Sequence, residues 1–150
     1  MFQSSWWEIT AHIISLATAY ALALPVGWDR EKDARSAGIR TFPLVAIASC
    51  GFVLVGIAIL GRTSAQARLL EGLITGVGFI GGGAILKNGR RASGTATAAS
   101  LWSTGALGAA VGYGLYDIAL VLSLTTFLTL RCSRPLKRAT HDGAGVSDAR

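Results

Sequence analysis

The sequence predicts an all-α integral membrane bundle of about five transmembrane helices, closely packed through glycine. Three observations lead there. Half of the 150 residues are hydrophobic (51%) and 15% are charged, against roughly 25% charged in soluble domains. Glycine is abundant at 19 residues, as it is in transmembrane helices that approach one another closely. The 14 basic residues, which give a net charge of +6, sit in short clusters between apolar runs. That placement reads as a topology signal and excludes the continuous basic face of a nucleic-acid binder. Cys50 and Cys132 have neither zinc nor disulfide spacing and read as structural thiols.

A helix needs about 20 mostly apolar residues to cross a bilayer. The first run lies between Glu8 and Asp29, interrupted by His12 and bracketed by Trp6, Trp7 and Trp28, residues that favour the membrane interface. Residues 1–8 carry Glu8 and no Lys or Arg, so this segment is expected to be a retained span rather than a cleaved signal. Pro25 falls in its last turns and is a kink candidate. His12 is expected to hydrogen-bond between helices. The second run lies between Arg40 and Arg62, with Pro43 in the first turn, where a missing N–H costs little.

The third run, Gly72 to Leu86, is short. Either Glu71 reaches the interface or the Gly81-Gly82-Gly83 triplet unwinds the helix. From Ala92 to Leu130 the only charge is Asp117, and this stretch is long enough for two spans turning at that residue. The domain reading is therefore a transmembrane unit over 1–135, with spans about 9–28, 42–61, 70–87, 93–114 and 117–131. Residues 136–150 form a basic, disordered cytoplasmic tail.

Basic residues fix the orientation. With the amino terminus outside, the inner side holds Arg30, Lys32, Arg35, Arg40, Lys87, Arg90, Arg91 and the tail residues Arg131, Arg134, Lys137, Arg138 and Arg150. The outer side holds Arg62 and Arg68. The positive-inside rule thus places the amino terminus in the periplasm and the carboxyl terminus in the cytoplasm.

Gly76-Val77-Gly78-Phe79-Ile80-Gly81 spells the dinucleotide fingerprint, but no soluble strand precedes it and Leu101 stands where an acid is required. The same glycines form Gly72-x-x-x-Gly76 and Gly78-x-x-x-Gly82, spacings that let backbones meet in lipid. The expectation is that Gly76, Gly78, Gly81 and Gly82 pack against span four and that Gly78 and Gly82 tolerate no bulk. In span four, Gly94, Ala98, Gly105, Gly108 and Gly112 form one small-residue stripe, and Thr97, Ser100 and Thr104 a neighbouring hydroxyl stripe. Back-bonding to helix carbonyls or bonds to the next helix suits those hydroxyls better than lining a cavity. Asp29-Arg30-Glu31 with Arg40-Thr41 is the richest polar feature, read either as a solvated loop or as an ion-pair network at the mouth of the bundle.

Four segments in order resemble the successive motifs of the MgtC/SapB family: Gly27-Trp28-Asp29-Arg30-Glu31, Ala37-Gly38-Ile39-Arg40-Thr41, Gly76 through Ile85, and Gly94 through Trp102. The resemblance implies a bacterial inner-membrane protein linked to magnesium limitation, acid stress or survival inside host cells. It also implies a regulator that binds other membrane proteins, ATP synthase among them, with magnesium transport as an older label for the family. Asp29 replaces the family's usual Glu, and Ala96 replaces a polar Asn or Thr. The soluble carboxyl-terminal domain of longer members is not expected here. Asp29, Arg30, Glu31, Arg40, Gly76, Gly78, Gly81, Gly82, Thr97 and Trp102 are the structural or partner-binding candidates.

The function expected from this is non-enzymatic: a regulator acting through helix faces in the bilayer on other membrane proteins or on a second copy of itself. A Mg²⁺ transporter or channel is the alternative, although the runs 9–27, 42–61, 72–86 and 92–116 hold no Asp or Glu to receive a hard cation. No cofactor or metal ligand set is expected. An intramembrane enzyme would need a convergent acid beside His12 and Ser15, and that span has none.

Overall fold

A computed structural model describes residues 5–32, 37–61, 63–88 and 91–144. Five helices follow one another: α1 (Trp6–Glu31), α2 (Thr41–Ile59), α3 (Thr63–Gly83), α4 (Thr95–Gly112) and α5 (Tyr116–Ala144). Between α3 and α4 lies a short antiparallel hairpin, β1 (Leu86–Asn88) and β2 (Arg91–Ser93), in register Leu86↔Ser93. The sequence had suggested only a polar loop there. Two helices, α1 and α2, are long and apolar enough to cross a membrane.

Local chemistry sets the helix ends. Ser5 opens α1 with a capping box: its Oγ accepts from the Glu8 N–H and its own N–H donates to Glu8 Oε2 at 3.0 Å. Pro43 stands third in α2, where its missing N–H leaves no bond unmade. Gly94 precedes α4 at φ 86°, a conformation that a side chain would strain, and it lies against the Ala84 carbonyl. The end of α4 is a Schellman turn, in which Gly114 N–H donates to Val111 O and Leu115 N–H to Ala110 O, both at 2.9 Å.

α4 is the central element and packs against all four other helices. Its small-residue stripe is where it meets α2 and α3. A side chain at Gly108 would land on the Ala46 carbonyl, and one at Gly112 would meet Val53 and the Cys50 carbonyl. Across the other seam, Gly105 lies on Val77 and Gly81 on the Ala98 carbonyl. These contacts make α2 and α4 parallel and α3 antiparallel to α4. α5 lies alongside α1 in the same direction, joined by Ser15–Tyr116 at 3.3 Å and by Ser123 Oγ donating to Leu22 O at 2.7 Å. One apolar cluster joins Ala19, Ala23, Ala46, Cys50, Leu107 and Val111, and a second joins Val26, Phe42, Val77, Leu101 and Leu130.

Several boundaries depart from the sequence reading. The third helix begins at Thr63, seven residues ahead of the expected 70, so most of the supposed loop 61–71 is helical. Its glycine triplet stays helical through Gly83 rather than unwinding. The supposed disordered tail from 136 is helical as far as Ala144, continuing past Pro135, and 145–150 fall outside the described residues. His12 is exposed on α1 rather than set between helices.

Candidate functional site

Two regions carry the predicted residues. At the junction of α1 and α2, Asp29 and Arg30 belong to the last turns of α1, not to a loop. Both are buried, at 2% and 7% exposure, and Arg30 Nη2 meets Asp29 Oδ2 at 3.0 Å. The two are neighbours on α1, and because both are buried, losing either partner would strand the other charge. Glu31 is exposed, and its Oε2 accepts the Ile39 N–H at 2.9 Å, closing the turn that leads into α2. A side chain at Gly38 would strike that carboxylate. Lys32 stands 5.8 Å over the Trp28 ring.

Arg40 does not join this cluster. It occupies the N-cap of α2, exposed, with no side-chain cap bond. The expected single network of Asp29, Arg30, Glu31 and Arg40 is therefore an Asp29–Arg30 pair, a Glu31 clasp on the turn, and a separate cation. Arg40 was grouped with the others because it is near in sequence; it instead lines a groove between α2 and α3.

The second region surrounds α3, which contacts α2 and α4 along one side. Of the predicted glycines only Gly81 is tightly packed, with the Ala98 carbonyl 3.1 Å from where its Cβ would be. Gly76, Gly78 and Gly82 have open space at that position, as does Gly72. The expectation that Gly76, Gly78 and Gly82 pack against the fourth helix is thus corrected, and it holds for Gly81. Helical periodicity explains it: with Leu73, Val77 and Gly81 turned inward, Thr75, Gly78, Phe79 and Gly82 must point away. Phe79 is 85% exposed.

Two cavities flank α3. The larger, about 650 Å³, runs between α2 and α3 with Arg40 and Thr41 at one end and Phe52 and Leu69 along its walls. Ser49, which the sequence did not single out, lines it with a buried hydroxyl that has no hydrogen-bond partner. Its position inside an apolar run gave no signal. The smaller cavity, about 260 Å³ between α3 and α4, is lined in part by Trp102, itself 53% exposed. Thr97 is buried in the α4 seam. Ser100 Oγ donates to Thr97 O at 2.9 Å and Thr104 Oγ1 to Ser100 O at 2.8 Å, so those two hydroxyls turn back onto their own helix. Among the described residues no group of three or more His, Cys, Asp or Glu is arranged to hold a metal ion.

The architecture is that of an all-α bundle with two helices long and apolar enough to cross a membrane. The chain belongs to the MgtC family, whose model matches residues 16–139. It is 38% identical to protein SrpB of Synechococcus elongatus over 91% of this chain and 80% of that protein. It is 35% identical to protein MgtC of Brucella abortus over 87% of this chain and 55% of that protein. It is 33% identical to the putative magnesium transporter YhiD of Escherichia coli, over 79% of this chain and 58% of that protein. The chain thus spans little more than half the length of several of the relatives it matches. No solved structure matches it.

Proposed function

We propose that the protein is a non-enzymatic regulator of the bacterial inner membrane, tied to magnesium limitation or intracellular survival, that acts by binding other membrane proteins. In this reading all five helices cross the bilayer, with the amino terminus in the periplasm and the carboxyl terminus in the cytoplasm. Alternating helix directions put the ends bearing Arg30, Lys32, Arg40 and Arg131 on one side, and the positive-inside rule makes that side cytoplasmic.

The observation that carries the proposal is the outward face of α3. Gly78, Phe79 and Gly82 offer a flat, apolar surface with a shallow backbone and one projecting ring. In lipid, where apolar burial drives little association, close backbone approach of this kind is what holds helices together. ATP synthase is the candidate partner that the family resemblance brings, and a second copy of the chain is another.

Affinity capture in mild detergent, at low and normal magnesium, tests the reading. The wild-type chain is expected to retain an inner-membrane partner, and Gly78→Leu to lose it at equal membrane abundance. Equal capture by both would remove the α3 face from the account.

The similarity to the putative magnesium transporter YhiD supports a second reading, magnesium transport. Ser100 and Thr104 would then have to leave their carbonyls to line a path. Mg²⁺ uptake into proteoliposomes holding the purified chain alone would establish that reading and displace the first.

A further inference from the structure

The groove between α2 and α3 has a shape and charge that the regulatory reading does not use. We infer that it is a binding site for one anionic phospholipid of the cytoplasmic leaflet, its phosphate on Arg40 and an acyl chain along the groove. The inference rests on the membrane placement proposed above.

The dimensions fit. From Arg40 to Phe52 is twelve residues, about 18 Å of helix. One leaflet of the hydrocarbon core is roughly 15 Å deep. Apart from the Ser49 hydroxyl the walls between these ends are apolar, with Leu44, Phe52 and Leu69 among them, and the volume of about 650 Å³ lies within the range of formed ligand sites. The groove opens sideways beside α3 because Gly72 and Gly76 have no side chains to close it.

The charge also fits. A helix start normally takes Ser, Thr, Asp or Asn, and its partial positive charge disfavours a cation. α2 instead begins with Arg40, whose side chain makes no cap bond. Arg30 is paired with Asp29, and Glu31 is engaged by the Ile39 N–H. A local rule broken at the mouth of an apolar groove marks a functional position. The first N–H groups of α2 already donate to Gly38 O, so a phosphate monoanion there is held by the guanidinium, with the Thr41 hydroxyl beside it. Basic pockets between transmembrane helices on the cytoplasmic side take anionic headgroups in this way.

Native mass spectrometry of the purified full chain, titrated with phosphatidylglycerol or phosphatidylcholine, tests the site. One phosphatidylglycerol is expected to bind at least tenfold more tightly than phosphatidylcholine. Arg40→Gln should abolish that preference and Arg40→Lys keep part of it. Gly76→Leu, which puts bulk into the groove where a Cβ meets nothing, should lower retention of either lipid about tenfold. Gly78→Leu, on the outward face, should leave it unchanged. Equal retention in wild type, Arg40→Gln and Gly76→Leu overturns the site. So does loss of bound lipid to millimolar inorganic phosphate, or a dimer that Gly76→Leu dissolves, which would make a second copy the occupant. Labelling of Ala37→Cys, in a chain that also carries Cys132→Ser, from either side of the membrane reports the placement separately. External labelling would refute the cytoplasmic assignment while leaving the binding result standing.

Discussion

The glycines of α4 and those of α3 share a spacing and differ in almost everything else. Gly105, Gly108 and Gly112 face neighbouring helices so closely that an added Cβ collides with Val77, with the Ala46 backbone and with Val53. On α3 only Gly81 is packed in this way, against the Ala98 carbonyl, while Gly72, Gly76, Gly78 and Gly82 face open space. The first set lets three helices approach within backbone reach and so defines the fold. The second set shapes surface, either the groove toward α2 or the outward face. Small-x-x-x-small spacing therefore says that a helix has a flat side, and says nothing of whether the fold itself fills that side.

The same substitution at three glycines separates the two kinds. The largest effect is expected at Gly108→Ala. The new methyl would strike the Ala46 carbonyl, which belongs to a buried helix and has no side-chain freedom with which to yield. Overpacking against backbone should cost about 3 kcal/mol, outweighing the gain of nearly 1 kcal/mol in helix propensity. Thermal unfolding in detergent reads this as a large fall in Tm. An unchanged Tm would mean that α2 and α4 do not meet as described.

An intermediate effect is expected at Gly105→Ala. Here the obstacle is the Val77 side chain, 2.8 Å from the built Cβ, on the less embedded helix α3. Val77 can shift with α3, though its branched side chain has few rotamers to use. A net loss of about 1 kcal/mol is expected, and pairing the change with Val77→Ala should recover most of it. Failure of that rescue would show that the cost arises elsewhere on α4.

The helical class of the fold was legible because lipid imposes a coarse rule: long apolar runs bounded by charge become helices. The start of α1 at Trp6, three residues ahead of the expected 9, is set by a Ser5-x-x-Glu8 capping box that the apolar-run reading did not use. Other helix ends were less legible too. Arg68 and Glu71 made 61–71 look like loop, yet Ala65, Gln66, Ala67, Leu69 and Leu70 are strong helix formers and carry α3 back to Thr63. The polar composition after 135 read as a disordered tail, but α5 continues to Ala144. The polar site was half legible. Residue types placed Asp29, Arg30 and Glu31 together, but only the path of the turn decides that Glu31 meets a backbone N–H and Arg40 faces a groove. Partner choice is a three-dimensional property that spacing does not encode.

The smallest change in stability, and the most informative for function, is expected at Gly78→Ala. Among the described residues no atom lies within 4 Å of where its Cβ would be, so none of them opposes the methyl. Alanine in a helix interior is favoured over glycine by about 0.8–1 kcal/mol, so the isolated protein should become slightly more stable. In a membrane containing a protein partner the balance changes, because the added methyl lifts the partner's backbone away from α3. Rising Tm together with weakened capture would mark the outward face as an interface reserved for another chain. Rising Tm with capture intact would leave Gly78 as an unfilled surface glycine. A fall in Tm would contradict the open space itself, and with it the distinction between the α3 and α4 glycines.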